Sequence, residues 1–229
     1  MLLQLPVKAR NKVKEITLDL AGNMGLIARK CFPNAMRVID RFHVQQLATE
    51  ALQEIRIRHR WEAIDAENAA IDLARKNKQS YVPQILSNGE TLKQMLARSR
   101  YLLYKAEKSW TLEQALRGNI LFELYPDLKK AYGLSQKLSW IYSNTTDKTY
   151  ALTRLAQWHK DVEQAEFKSF NILSKTIVNH YPRILNYFNN RSTNASAESF
   201  NAKIKAFRAQ YRGVRDVNFF LFRLTKLFA

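Results

Sequence analysis

Three carboxylates and one imidazole stand where the chain could do chemistry: Asp19, Asp40, His43 and Glu198. Asp19 closes the alternating, β-branched run Val13-Lys14-Glu15-Ile16-Thr17-Leu18, and Asp40 closes a second such run, Ala35-Met36-Arg37-Val38-Ile39. Both runs have the composition of short strands. Glu198 lies in a stretch whose first half, Arg191 to Ala197, is small and polar and suited to capping a helix. The second half repeats apolar side chains at Phe200, Ile204 and Phe207, the spacing of one buried helix face. At 3.6 residues per turn, Glu198, Asn201, Ala202, Lys205 and Arg208 then share the opposite face. Carboxylates brought together in this way could hold a hard divalent cation, beside cations that hold a polyanion. A plainer reading stands beside it. Strand-ending aspartates commonly cap the helix that follows, and a glutamate in a first turn suits the helix dipole.

The elements that must position these groups follow from periodicity. Ala21 to Phe32 reads as a helix stopped by Pro33-Asn34, so the first 45 residues predict a strand–helix–strand unit with parallel strands. In such a unit Asp19 and Asp40 lie at the carboxyl ends of neighbouring strands, where open α/β sheets bind ligands. From Arg41 the pattern turns helical and runs past Trp61 to about Lys78. After the Ser87-Asn88-Gly89 break a helix is expected from Leu92 to Leu103, another through Leu116 to Leu124, and further amphipathic segments at roughly 127–142, 147–164 and 167–181. Val217 to Phe228 is apolar on most sides and predicts a buried closing helix. The expectation is a predominantly α fold with a small βαβ piece. It divides into residues 1–45 (strand–helix–strand), 46–185 (all-helical insertion) and 186–229 (the helix of Glu198 and the C-terminal helix packing on the fold).

Of 229 residues, 37 are Lys or Arg and 20 are Asp or Glu, a net charge of +17 that makes nucleic acid the leading partner. Arg41, Arg56, Arg58, Arg60, Arg98, Arg100, Lys203, Arg208, Arg212 and Arg215 are the candidate phosphate contacts, since arginine binds phosphate oxygens bidentately. A solvated helix face accounts equally for the cluster from Arg56 to Arg60. The lone Cys31 has no partner for an internal disulfide or a zinc site. No apolar run is long enough for a bilayer, and no signal-peptide pattern follows Met1, so a cytoplasmic setting and no membrane contact are expected. Gly-x-Ser-x-Gly, His-Glu-x-x-His and a Gly-rich phosphate loop are all absent. Carboxylates holding a hard metal are then the candidate chemistry. Two-metal phosphodiester cleavage needs several of them converging on ions a few ångströms apart.

The segments Asp19, Phe32-Pro33-Asn34-Ala35, Asp40-Arg41-Phe42-His43-Val44 and Ser192 through Lys205 resemble the DDE transposases of bacterial insertion sequences, in particular the ISL-three family. Asn88-Gly89-Glu90-Thr91, Arg98 to Leu103 and Arg212 to Asp216 extend the likeness over nearly the whole chain. The resemblance implies a ribonuclease-H-like catalytic fold interrupted by a helical insertion. It implies Asp19 and Glu198 as catalytic, metal-binding residues, with two magnesium or manganese ions in the complete enzyme. Asp40, His43, Asn201 and Lys205 would support the site. The reaction implied is cut-and-paste transposition by phosphodiester hydrolysis and strand transfer. Transposon ends and target DNA would be the partners, a homodimer the assembly and the bacterial nucleoid the setting. Arg191 and Asn194 depart from the pattern before the glutamate in other insertion-sequence transposases. Residues 1–18 contain no aspartate to match the family's first catalytic one. The chain is therefore expected to correspond to the C-terminal part of such an enzyme and to be inactive alone. Two other readings remain at this point: a non-catalytic helical nucleic-acid-binding protein, and an oligomerising helical scaffold.

Overall fold

The computed structural model describes residues 2–193, 195–210 and 215–228, without the side chains of residues 195–198, 227 and 228. A 3-10 turn (Leu2–Gln4) and a short helix α1 (Val7–Asn11) lead into strand β1 (Glu15–Leu18). Helix α2 (Gly22–Cys31) crosses over to β2 (Met36–Ile39). The strands pair in parallel, with Glu15 opposite Met36 and Leu18 opposite Ile39. This two-stranded sheet is the only one among the described residues. Such a sheet needs cover on its faces to persist. Val38 and Ile39 are almost fully buried, and short helix α9 (Tyr181–Leu185) packs on β2. Along the outer edge of β2, Asn186 donates its side-chain amide to the Arg37 carbonyl at 3.0 Å.

Helix α3 (Arg41–Lys76) is the spine of the molecule. Its 36 residues contain neither Gly nor Pro, and at 1.5 Å per residue it is about 54 Å long. Val44, Ala48, Ala51, Leu52 and Ile55 form its buried stripe. Against that stripe pack α4 (Leu92–Arg98), α6 (Pro126–Asn144) and α8 (Lys168–Asn179). Helix α5 (Leu112–Leu124) packs on α6, and α7 (Lys148–Ala165) packs between α6 and α8. Trp158, fully buried on α7, donates its indole N–H to the Leu134 carbonyl at 2.9 Å. One apolar cluster runs from Leu18 and Val38 through Leu121 and Trp158 to Phe188. The division expected near residue 45 therefore falls inside an unbroken helix and within a single core.

Short helix α10 (Tyr187–Asn190) precedes α11 (Ala195–Gln210) and α12 (Val217–Phe228). The last two meet through Phe207 and Phe220, whose ring centroids are 5.3 Å apart. Two expectations are corrected. The helix after Gly89 ends at Arg98 rather than Leu103. Buried Ser99 turns its hydroxyl back to the Met95 carbonyl at 2.7 Å, and Leu102–Tyr104 forms a separate 3-10 turn whose Leu102 carbonyl accepts from Trp110. Helix α12 is not buried: Val217, Phe219, Leu221 and Phe222 are exposed, and Leu224 alone of its described side chains is fully covered. Phe200 on α11 is likewise exposed, so of the stripe expected there only Phe207 is fully covered. The pattern along the helix was right, but its covering surface is absent among the described residues.

Candidate functional site

The site grows from the carboxyl ends of β1 and β2. Asp40 follows β2 directly, is 2% exposed, and caps α3 by accepting the Phe42 N–H on Oδ1 at 3.0 Å. Its own N–H donates to the Leu18 carbonyl at 2.9 Å, which ties it to the end of β1. Asp19 therefore stands beside it, half-buried at the neighbouring strand end. Asp19 Oδ1 accepts the Ala21 N–H at 2.9 Å and shapes the entry to α2, while Oδ2 has no hydrogen-bond partner among the described residues. The capping reading thus holds for one oxygen of Asp19. No group of three His, Cys, Asp or Glu side chains converges among the described residues.

Glu198 belongs to α11, but its side chain lies outside the described residues, as does all of Arg212. What the structure gives is the approach of the chain. Asn190 donates to Glu15 Oε2 at 3.0 Å on β1. Arg191, left-handed at φ 54°, sends its guanidinium to the carbonyls of Tyr142 and Ser143 at 3.0 and 3.2 Å. Those are the last turns of α6, against the start of α3. Four residues of chain keep Ala195 within about 14 Å of Arg191. His43 is half-buried, with its ring edge-on to Phe42 at 5.8 Å. Asn201 and Lys205 are exposed on α11.

The basic candidates separate by environment. Arg41, Arg60, Arg100, Lys203, Arg208 and Arg215 are exposed. Arg56 is not a surface group: it is 5% exposed and spends its guanidinium on Gln53 Oε1 (2.6 Å) and the Leu96 carbonyl (2.8 Å). Burial, and then the charges of Arg60 and Arg100, hold its pKa below the ordinary value. Arg56 fastens α3 to α4. Arg58 pairs with Asp127 at 3.2 Å, in a cluster where His59 bridges Glu62 (2.9 Å) and Asp127 (2.7 Å). Arg98 pairs with Glu90 at 2.8 Å.

Glu90 carries structural weight that sequence reasoning missed. It is 4% exposed and accepts from Arg98, twice from Arg117, and from Asn88. The Arg117 guanidinium, with Arg98 and Asn88, holds its carboxyl at about 2 against the cost of burial. Gly89 at φ +78° makes the turn that points it inward. The only local signal was Asn-Gly before Glu. A second unforeseen feature is Tyr142, whose buried hydroxyl has no hydrogen-bond partner among the described residues. Burial, with Tyr187 and Asp40 nearby, pushes its phenol well above the usual range.

Comparisons with known proteins bear on the family of the chain. A family described as transposase, the DDE type of the ISL-three group, matches residues 1–224. The transposase for insertion sequence element IS1001 of Bordetella parapertussis is 22% identical over 228 residues, covering 98% of this chain and 50% of that protein. The chain thus spans about half the length of this curated relative. No solved structure matches. With a family match from Met1 to Leu224, laid over strand-ending aspartates and a basic helical body, the chain belongs to the ISL-three family of DDE transposases.

Proposed function

We propose that this chain forms part of the catalytic domain of a cut-and-paste DNA transposase, with Asp19 and Glu198 as its metal-binding carboxylates. The observation that carries the proposal is Asp19: a half-buried carboxylate at the end of β1, beside Asp40, with one oxygen committed to the backbone and the other unpartnered among the described residues. A ribonuclease-H-like reading of the fold gains support from the sheet edge. The Lys14 and Leu18 carbonyls face β2, so the backbone groups of Glu15 and Thr17 face outward, where no described strand pairs with them. Further strands would join there. The helices from 46 to 185 would then be the insertion, and 186–229 the return to the site.

A divalent cation such as magnesium or manganese, when bound, would activate the attacking oxygen and stabilise the leaving one. The chain's own groups do the rest. Asp40 fixes the start of α3 and holds it to the end of β1. His43, one turn into α3, together with Asn201 and Lys205 on α11, would orient the site. Arg41, Arg60, Arg100, Lys203, Arg208 and Arg215 would bind DNA phosphates. DNA as partner and a homodimer as assembly belong to the same proposal. No helix among the described residues is long and apolar enough to cross a membrane, and action on DNA in the bacterial nucleoid completes the reading.

The test is manganese binding by calorimetry in the presence of duplex DNA. Asp19→Asn and Glu198→Gln are each expected to abolish the metal heat while leaving the circular-dichroism spectrum unchanged. Metal binding that survives both substitutions refutes the site. A non-catalytic DNA-binding helical protein is the second reading, supported by the net charge of +17. It predicts DNA binding with no metal heat at all.

A further inference from the structure

Two clefts open side by side along the first three turns of α3. The first, with room for 150 Å³, lies between the start of α3 (Arg41, Phe42, Gln45) and the end of α6 (Ser139, Tyr142, Ser143). The second, of 300 Å³, is bounded by Phe42, Gln45, Thr49 and Tyr104, with Gln46 and Glu50 at its side. Phe42 and Gln45 belong to both, so the two form one groove with the Phe42 ring, 56% exposed, as the ridge between them.

Two polar atoms lie sealed beneath this groove. Among the described residues, two buried side-chain atoms lack a hydrogen-bond partner, Gln45 Oε1 and the Tyr142 hydroxyl, and both belong to residues lining the first cleft. Gln45 spends its amide N–H on Ser135, which leaves its oxygen as an acceptor. Tyr142 is 2% exposed, with its ring held between Tyr187 and Phe188, so its hydroxyl cannot swing out to solvent. Buried polar groups are rarely left unpaired unless a water or a ligand completes them.

Charge and ring chemistry narrow the class of ligand. Arg41 lines the first cleft, and Arg191 stands behind it on the Tyr142 and Ser143 carbonyls. At the far end exposed Arg100 lies over the Tyr101 ring, 5.5 Å from its centre, on the side of Tyr104. Among the described residues Glu50 is the one carboxylate lining the groove, and Gln46 holds it at 2.8 Å. Cations at both ends with exposed rings between them match an unpaired nucleic-acid strand. In a duplex, neighbouring bases cover each base face, and the partner strand covers the pairing edge. Both become available only when the strand is unpaired.

We propose that this groove seats unpaired bases of a DNA strand. Phe42 and Tyr104 stack on bases, and Arg41 and Arg100 take the flanking phosphates. The inference rests on the DNA-binding reading above and adds to it the form of DNA that is held. Because the groove begins at Arg41, directly after Asp40, the unpaired stretch lies next to the carboxyl ends of the strands.

The experiment is fluorescence anisotropy with the full chain and no divalent metal. The probes are a labelled single strand, the same strand with abasic positions, and a hairpin duplex of the same composition. The Phe42→Ala, Tyr104→Ala double variant is expected to lose about tenfold or more in single-strand affinity, since stacking on each ring is worth about 1–3 kcal/mol. Duplex affinity should stay within about twofold, and Phe42→Tyr should restore strand binding to the single variant. The wild-type chain should bind the abasic strand as weakly as the double variant binds the normal one. Equal loss on strand and duplex, no loss on either, or undiminished binding of the abasic strand overturns the proposal. Absence of duplex binding by the wild-type chain would instead sink the DNA-binding reading itself.

Discussion

Replacing Glu90 with glutamine isolates the charge at the centre of the α4–α5 junction. The side chain keeps its size and a carbonyl that can accept from Arg117, but the charge-assisted bonds to Arg98, Arg117 and Asn88 are lost or weakened. The carboxyl is held at about 2 rather than 4.5, and at 1.36 kcal/mol per unit that amounts to about 3 kcal/mol of stability at neutral pH. The figure agrees in size with the 3–5 kcal/mol typical of breaking a buried pair. Because the folded value is depressed, the contribution is complete above the unfolded value near 4.5 and disappears as pH falls toward 2. Urea unfolding of the wild-type chain and Glu90→Gln should therefore differ by about 3 kcal/mol at pH 7. In a chain of this size that is a drop of roughly 6–12 °C in Tm. The gap should close steadily between pH 4.5 and 2. A difference below about 1 kcal/mol at pH 7, or one that does not narrow with acid, refutes the assignment. A double-mutant cycle locates the energy further. Coupling to Arg117, whose side chain is 19% exposed and bidentate, should exceed coupling to Arg98, which is 60% exposed.

Two further outcomes follow from packing and burial. Gly118→Ala on α5 would place a methyl 2.5 Å from the Trp110 ring, which is tied to the Leu102 carbonyl, so a loss of about 1–3 kcal/mol is expected in chemical denaturation despite the gain in helix propensity. Gly25→Ala is the control, since its only close neighbour is the movable tip of Arg183, and it should be near neutral. Arg56→Ala should destabilise the fold by more than 1 kcal/mol and leave the salt dependence of DNA binding unchanged, whereas Arg60→Ala should lower the salt slope by about one and leave stability alone. The reverse pattern would exchange their roles.

Much of this molecule is local in origin. The β-branched runs before Asp19 and Asp40, the Pro33-Asn34 stop, and 36 residues without Gly or Pro determine β1, α2, β2 and α3 through backbone preferences and periodicity. The same runs place both aspartates at strand ends, since a parallel βαβ unit has one favoured hand and register follows from its buried faces. Whatever depends on partners far along the chain was not legible. Arg56 and Arg60 look alike in the sequence, and only the arrival of α4 makes one a buried tie and leaves the other in solvent. Glu90 becomes a hub because Arg117 lies 27 positions away, and Tyr142 meets Gln45 because α6 packs across α3. Helix α12 makes the point in reverse, because its apolar pattern predicted burial but burial also needs a facing surface. Spacing determines which face a side chain shares; tertiary packing decides what that face meets, because burial and pairing depend on neighbours that no local pattern encodes.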